Sequence, residues 1–205
     1  MKRLAVFGAS GHGKVVADAA ERCGWVVSFY DDNLSVSDRD NNWPVLGSFR
    51  DLLVHLEEYD GVVVGIGNNA VRLEKSEALL SKGAPLVSVI HPEATISKYV
   101  RLNIGTVVMA GAVINVNSHL GLACIVNTGA TIDHDCYLGD GVHISPGSNL
   151  AGEVRIGDLS WVGIGSAVRQ QITIGSNSMI AAGATVVKDV PDNTSVAGTP
   201  AKTMR

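Results

Sequence analysis

Hydrophobic positions in the second half of the chain recur every six residues. Stepping from Ile96 through Leu102, Val108 and Ile114 to Ile180 and Val186 meets only Val, Ile or Leu, with no skipped register. The position two residues earlier is mostly small, as at Ala112, Ser118, Cys124, Ala130, Ser148 and Ser166; Val100, Val142, Val154 and Ile172 depart from this mildly. An α-helix repeats its apolar face about every 3.6 residues, so this pattern is not helical. It fits short strands joined by tight turns, each strand sending one aliphatic side chain inward. Three such strands per triangular coil predict a parallel β-helix of roughly five coils between about 94 and 190. Glycines such as Gly105, Gly121, Gly139, Gly157 and Gly175 are expected in turns that need a positive φ.

The first half has a different rhythm. Leu4-Ala5-Val6-Phe7 reads as a buried strand, and a helical pattern follows through Val15, Val16, Ala19 and Ala20 to Gly24. Trp25 to Tyr30 reads as a second strand, closed by Asp31-Asp32. A short strand or turn is expected at Pro44-Val45-Leu46 and a helix over 48–58. Asp60 to Gly67 reads as another buried strand with a glycine-rich exit, a helix covers 69–82, and a last strand lies at Leu86–Ile90. Strands alternating with helices predict a small parallel sheet. His91-Pro92 marks the junction, giving an α/β domain at 1–91 and a β-helical domain with a C-terminal tail at 92–205.

Composition narrows the function classes. The 205 residues carry a net charge of −4, with 46% hydrophobic and 18% charged side chains. A sizeable core is possible and disorder is not expected. A basic face for nucleic acid is not expected, nor docking on anionic lipid. No apolar run approaches the roughly 20 residues of a membrane span. Only a few apolar residues separate Met1-Lys2-Arg3 from Gly8, too few for a signal peptide, so a cytoplasmic location is expected. Cys23, Cys124 and Cys136 have no metal-ligand spacing and are read as reduced and buried.

The loop Gly8-Ala9-Ser10-Gly11-His12-Gly13-Lys14 lies between the first strand and the first helix. It is not a P-loop, because Val15 stands where the magnesium-binding hydroxyl residue would be. As a dinucleotide fingerprint its glycines are misplaced, although Asp31-Asp32 ends the second strand, where a ribose could be bound. Glycines beside a helix N-terminus also suit a nucleotide-linked sugar. A plain strand–helix turn is the bland alternative. His12 is read as a substrate contact or a capping side chain. Gly67-Asn68-Asn69 again puts small and amide groups at a strand's C-terminal end, where they serve ligand binding or helix capping.

Taken together, the hexad repeat, the Gly198-Thr199-Pro200-Ala201-Lys202 ending, the glycine loop, Asp31-Asp32 and Ile66-Gly67-Asn68-Asn69 resemble a known family. These are the hexapeptide-repeat sugar acetyltransferases. The group resembled acetylates 4-amino nucleotide sugars, of the UDP-N-acetylbacillosamine and GDP-perosamine N-acetyltransferase type, with sialic acid O-acetyltransferases as relatives. The resemblance covers essentially the whole chain. It implies a Rossmann-like N-terminal domain, a left-handed β-helix, a homotrimer and acetyl-CoA as acetyl donor. Ser10, Gly11, His12, Gly13, Asp31, Asp32, Gly67 and Asn68 are then the candidate nucleotide-sugar contacts. O-acetylation of sialic acid or a related sugar on the same fold is the alternative activity.

Acetyl transfer to an amine needs a base for the amine proton and donors for the tetrahedral oxyanion. His134 follows inward Ile132 by two residues, so it belongs to a turn or outward face, with Asp133 and Asp135 beside it. The resemblance implies His134 as general base and Asp135 as its support, where many relatives carry Glu. It assigns His143, Gly163, Ile164, Ala182 and Gly183 to the coenzyme and leaves His119 as surface. No nucleophile is placed for a covalent acyl-enzyme, so direct transfer without a metal is expected. A scaffold protein would lack the histidine–acid pair. A metal-dependent hydrolase would need a third histidine ligand besides His134 and His143.

Overall fold

The computed structural model describes residues 1–33 and 42–204. They form two compact units, Met1–Pro92 and Glu93–Arg205.

In the first unit the central strand is β1, Lys2–Phe7. It pairs in parallel with β2, Trp25–Tyr30, on one side and with β3, Gly61–Val64, on the other. Strand order therefore reverses at β1, and the loops leaving β1 and β3 form the switch point of the sheet. Helix α1, Gly11–Arg22, buries Val16, Ala19 and Ala20, the i, i+3, i+4 spacing of one helical face. Gly13 on α1 cannot carry a side chain, because a Cβ there would overlap the Gly8 carbonyl. The expected helix over 48–58 is shorter: α2 is Phe49–Val54, followed by a 3₁₀ turn at Leu56–Glu58. Helix α3 is Asn69–Ser81.

The two flanking strands are reduced to single bridges, Phe29 with Val45 and Val62 with Leu86. Pro44 and Pro85 offer a carbonyl to Phe29 and Val62 but have no N–H to continue the ladder. The last strand, β4, is only Val89–Ile90 and packs on α1.

The second unit is the β-helix that the hexad predicts, a left-handed solenoid of two-residue strands on three parallel faces. The first face starts at Thr95–Ile96, the second at Arg101–Leu102 and the third at Val107–Val108. Strands pair with the strand eighteen residues on, as Thr131 does with Asn149, until the last coil, where Met179 pairs with Ser195. The first face stacks six strands, so a sixth turn begins beyond the five coils expected from sequence. The inward residues Ile114, Ile132, Leu138, Ile144, Ile156 and Val162 are all at most 1% exposed. Each contributes about 1.5–3 kcal/mol by burial. The small residues two places earlier sit at the corners. There Ser148 Oγ, for example, donates to the Gly163 carbonyl at 2.7 Å.

Two expectations change. Of the glycines expected at positive φ, only Gly105 has one. At Gly121, Gly139, Gly157 and Gly175 a Cβ would instead overlap the next coil, so the stacking distance excludes a side chain. Cys124 and Cys136 are buried as expected, but Cys23 is exposed, since it caps the solvent end of α1.

Candidate active site

The left-handed backbone conformation recurs at every sixth residue from Gly105 to Gly183, and the three edges of the prism carry it differently. Between the third and first faces it falls on Gly111, Gly129, Gly147, Gly165 and Gly183, an edge with no side chains at those steps. Between the first and second faces it falls on Asn117, Asp135, Glu153 and Gln171. A non-glycine residue in this conformation costs about 1–2 kcal/mol, and such strain gathers at functional sites.

His134 lies on that second, polar edge. Its Nδ1 is 2.8 Å from Asp135 Oδ2, and both side chains are about half exposed, at 47% and 48%. The histidine pKa is raised by the Asp135 hydrogen bond first, and also by the charges of Asp133, Asp135 and Glu153. The Asp135 carboxyl is held below its ordinary range by His134 and by Asn117. With Nδ1 engaged by the carboxylate, the proton of the neutral ring sits on Nδ1 and Nε2 is left basic. Nε2 lies over Gly152, one coil further on, where any Cβ would overlap the ring. On the second face beside Asp135 a cavity of about 400 Å³ is lined by Asn117, His119, Asp135, Cys136, Tyr137 and Arg155. The expected surface residue His119 is half-buried, with Nδ1 3.0 Å from the Asn117 carbonyl.

His143 is elsewhere, on the third face in strand His143–Ile144, and only 6% exposed. Its ring stacks on Trp161 at 4.7 Å, and Trp161 Nε1 donates to Ser145 Oγ at 2.7 Å. Asn127 Nδ2 donates to His143 Nε2 at 3.2 Å. Gly163, Ile164, Ala182 and Gly183 line the edge between the third and first faces. Ile164 is 57% exposed there and Gly183 opens onto free space. Gly163 differs from the expectation of room for a ligand: a Cβ would meet the Ile180 carbonyl and Ala182 N–H, so the next coil imposes this glycine. The His134–Asp135 pair and the candidate coenzyme residues therefore occupy different edges of one prism.

The candidate sugar contacts converge at the switch point of the first unit. Ser10 is the N-cap of α1 without a side-chain cap bond, and no acidic residue follows in the first turn. Within α1 itself no side chain offsets the N-terminal peptide dipoles, and the carboxylate beside them is that of Asp31 at the end of β2. Asp31 Oδ2 accepts the Ala9 N–H at 2.7 Å and ties the glycine loop to the end of β2. Asp32 Oδ1 accepts the Phe49 N–H at 2.9 Å. The Asn68 side chain caps α3 by accepting the Val71 N–H, so for this residue the capping alternative holds. Gly67 is open on its side-chain side, and its carbonyl accepts from Arg72 Nη1 at 3.1 Å. Burial of the ring first, and the charge of fully buried Arg72 second, push the His12 pKa down to about 4. His12 is consequently neutral in the folded protein near pH 7.

Arg72, Asn115, Asn117, Asn127, Gly152 and Trp161 were not marked by the sequence reading. For three of them a signal existed: Asn115, Asn117 and Gly152 are eighteen residues from Asp133, Asp135 and His134. Among the described residues, no three His, Cys, Asp or Glu side chains are arranged to hold a metal ion. No helix among them is long and apolar enough to cross a membrane.

Residues 3–79 match the PglD N-terminal domain family. The acetyltransferase domain of PglB from Neisseria gonorrhoeae, solved with acetyl coenzyme A, is 44% identical. It superposes with a TM-score of 0.95 over 99% of both chains. The chain belongs to the hexapeptide-repeat sugar acetyltransferase family. Within that family, perosamine N-acetyltransferase from Caulobacter crescentus, solved with CoA and GDP-perosamine, is 36% identical. Its TM-score is 0.95 over 100% of this chain and 98% of that one. A curated relative, UDP-N-acetylbacillosamine N-acetyltransferase of Bacillus subtilis, is 34% identical over 117 residues, and the match spans 52% of its length.

Proposed function

We propose that this chain transfers the acetyl group of acetyl-CoA to the 4-amino group of a nucleotide-linked amino-deoxy sugar. The observation that carries the reading is the His134–Asp135 pair, with Nδ1 held at 2.8 Å and Nε2 over a residue without a side chain. The sugar nitrogen attacks the thioester carbonyl carbon while Nε2 of His134 takes the amine proton. The carbon–sulfur bond then breaks, and the proton passes from His134 to the departing thiolate, giving the N-acetyl sugar and CoA. The amine, thioester and base suffice, so no covalent enzyme intermediate or metal is required.

The first unit is assigned to the nucleotide sugar. Its diphosphate sits at the N-terminus of α1 beside Ser10, Gly11 and Gly13, with neutral His12 and Gly67 next to it, and Asp31 and Asp32 reach the nucleoside. Acetyl-CoA is assigned to the edge of Gly111, Gly129, Gly147, Gly165 and Gly183, with Ile164, Ala182 and His143, because glycine at those steps lets a long pantetheine arm approach the backbone. One prism carries the base and the coenzyme edge apart, so the proposed site is completed between neighbouring copies in a homotrimer. The proposed setting is the cytoplasm, where acetyl-CoA is available.

Thiol release from acetyl-CoA tests this reading against UDP-, GDP- and dTDP-linked 4-amino-6-deoxy sugars and free sialic acid. Turnover on a nucleotide-linked amino sugar is expected, falling roughly 10²- to 10⁴-fold in His134→Ala. Turnover on sialic acid alone would replace the reading with O-acetylation. No release with any acceptor would overturn the assigned substrate class.

A further inference from the structure

His134 is held from the preceding coil by two parallel relays. Asn115 Nδ2 donates to Asp133 Oδ1 at 3.0 Å, and the same oxygen accepts the backbone N–H of His134 at 2.8 Å. Asn117 Nδ2 donates to Asp135 Oδ1 at 3.2 Å, while Oδ2 of that carboxylate engages His134 Nδ1 at 2.8 Å. One relay ends on the backbone of the histidine and the other on its ring. We propose that Asn115 and Asn117 are positioning residues of the acetyl-transfer site, orienting His134 through Asp133 and Asp135. The proposal rests on the acetyl-transfer reading above.

The chemistry of the donors supports it. An exposed carboxylate with one free hydrogen bond rotates and exchanges its partner with water. Fixing Oδ1 of Asp135 from below leaves Oδ2 a narrow range of positions, and the imidazole occupies one of them. An amide achieves this without charge, whereas a lysine or arginine at 117 would neutralise the carboxylate that raises the basicity of His134. Asn117 also sits at φ 62°, a conformation that asparagine tolerates better than most residues. The other charged and titratable groups are placed differently. Glu153 faces His134 electrostatically, but its carboxylate is engaged by Gln171 Nε2 at 3.3 and 3.4 Å, one coil further on. His119, Tyr137 and Arg155 line the cavity on the other side of Asp135.

The test combines kinetics with a titration that needs no acceptor. Asn117→Gly keeps the left-handed backbone and removes only the amide, and Asp135→Gly does the same for the carboxylate. Asn117→Gly is expected to lower kcat roughly tenfold with the KM for acetyl-CoA unchanged, the worth of about one hydrogen bond. The His134 midpoint, followed by NMR of its ring protons, should fall towards the ordinary value. In the Asp135→Gly background the same substitution should add almost nothing, because the relay is already cut. Asn115→Ala should speed amide hydrogen exchange at His134. An unmoved His134 midpoint in Asn117→Gly, or full additivity with Asp135→Gly, would overturn the proposal, as would unchanged exchange in Asn115→Ala. A wild-type protein that releases no thiol would instead count against the acetyl-transfer reading, while the titration and exchange still report on the relays.

Discussion

At the residue scale the proposed chemistry turns on the imidazole of His134, whose pKa the Asp135 hydrogen bond raises. A base must be neutral to accept a proton, so kcat/KM should fall as pH drops through the His134 pKa. That acidic limb is expected above the ordinary imidazole value of 6.5. It should move to lower pH in Asp135→Gly, since the hydrogen bond from Asp135 is the largest cause of the shift. A limb that does not move would remove Asp135 from the base's support. Gly152→Ala tests the geometry: a Cβ there overlaps His134 Nε2, so kcat should fall roughly 100-fold while thermal unfolding stays within a few degrees of wild type. His12 makes a separate prediction for stability. Its folded pKa of about 4 lies below 6.5, so the unfolded chain binds its proton first and stability is lost as pH falls from 6.5 to 4. Denaturant midpoints in that window should fall less in His12→Gln. The sequence marked His134 through its flanking acids and hexad register, while Asp135 as its support and His143 came from the family resemblance. The partners Asn115, Asn117 and Gly152 were hidden, because they approach across one coil and only a step of eighteen residues connects them.

The elements were legible in proportion to how often their pattern repeats. The inward aliphatic column gave the β-helix, since its residues stack on their own equivalents one coil later, as Ile114 does on Ile132 and Leu138 on Ile156. Where a strand has one residue to pair, as at Val45 and Leu86, no periodicity exists to be read, and proline ends the ladder at once. The turn glycines carried two meanings that sequence does not separate. Gly111, Gly129, Gly147, Gly165 and Gly183 adopt positive φ, while Gly121, Gly139, Gly157 and Gly175 have no room for a Cβ. Gly139→Ala should therefore destabilise by about 1–3 kcal/mol through overlap with the Asp158 backbone, measured as a lowered unfolding midpoint. A neutral effect would mean that the coils separate more easily than their hydrogen bonds suggest.

For the whole molecule, the division of the site is the central claim. His134, the proposed base, stands on the polar edge of the prism, and the edge with Ile164 and Ala182 is a different corner of the same section. A rotationally closed ring can bring one edge of each copy against the other edge of its neighbour, which a single chain cannot do. The deciding measurement is complementation in mixed assemblies. His134→Ala lacks the base, and Ala182→Trp obstructs the coenzyme edge; each alone should be nearly inactive in thiol release with the accepted amino sugar. Unfolded together and refolded at equal amounts, they should recover about a quarter of wild-type turnover, since random assembly pairs an intact base with an intact edge at about one contact in four. A mixture no more active than its separate components would contradict a site shared between copies.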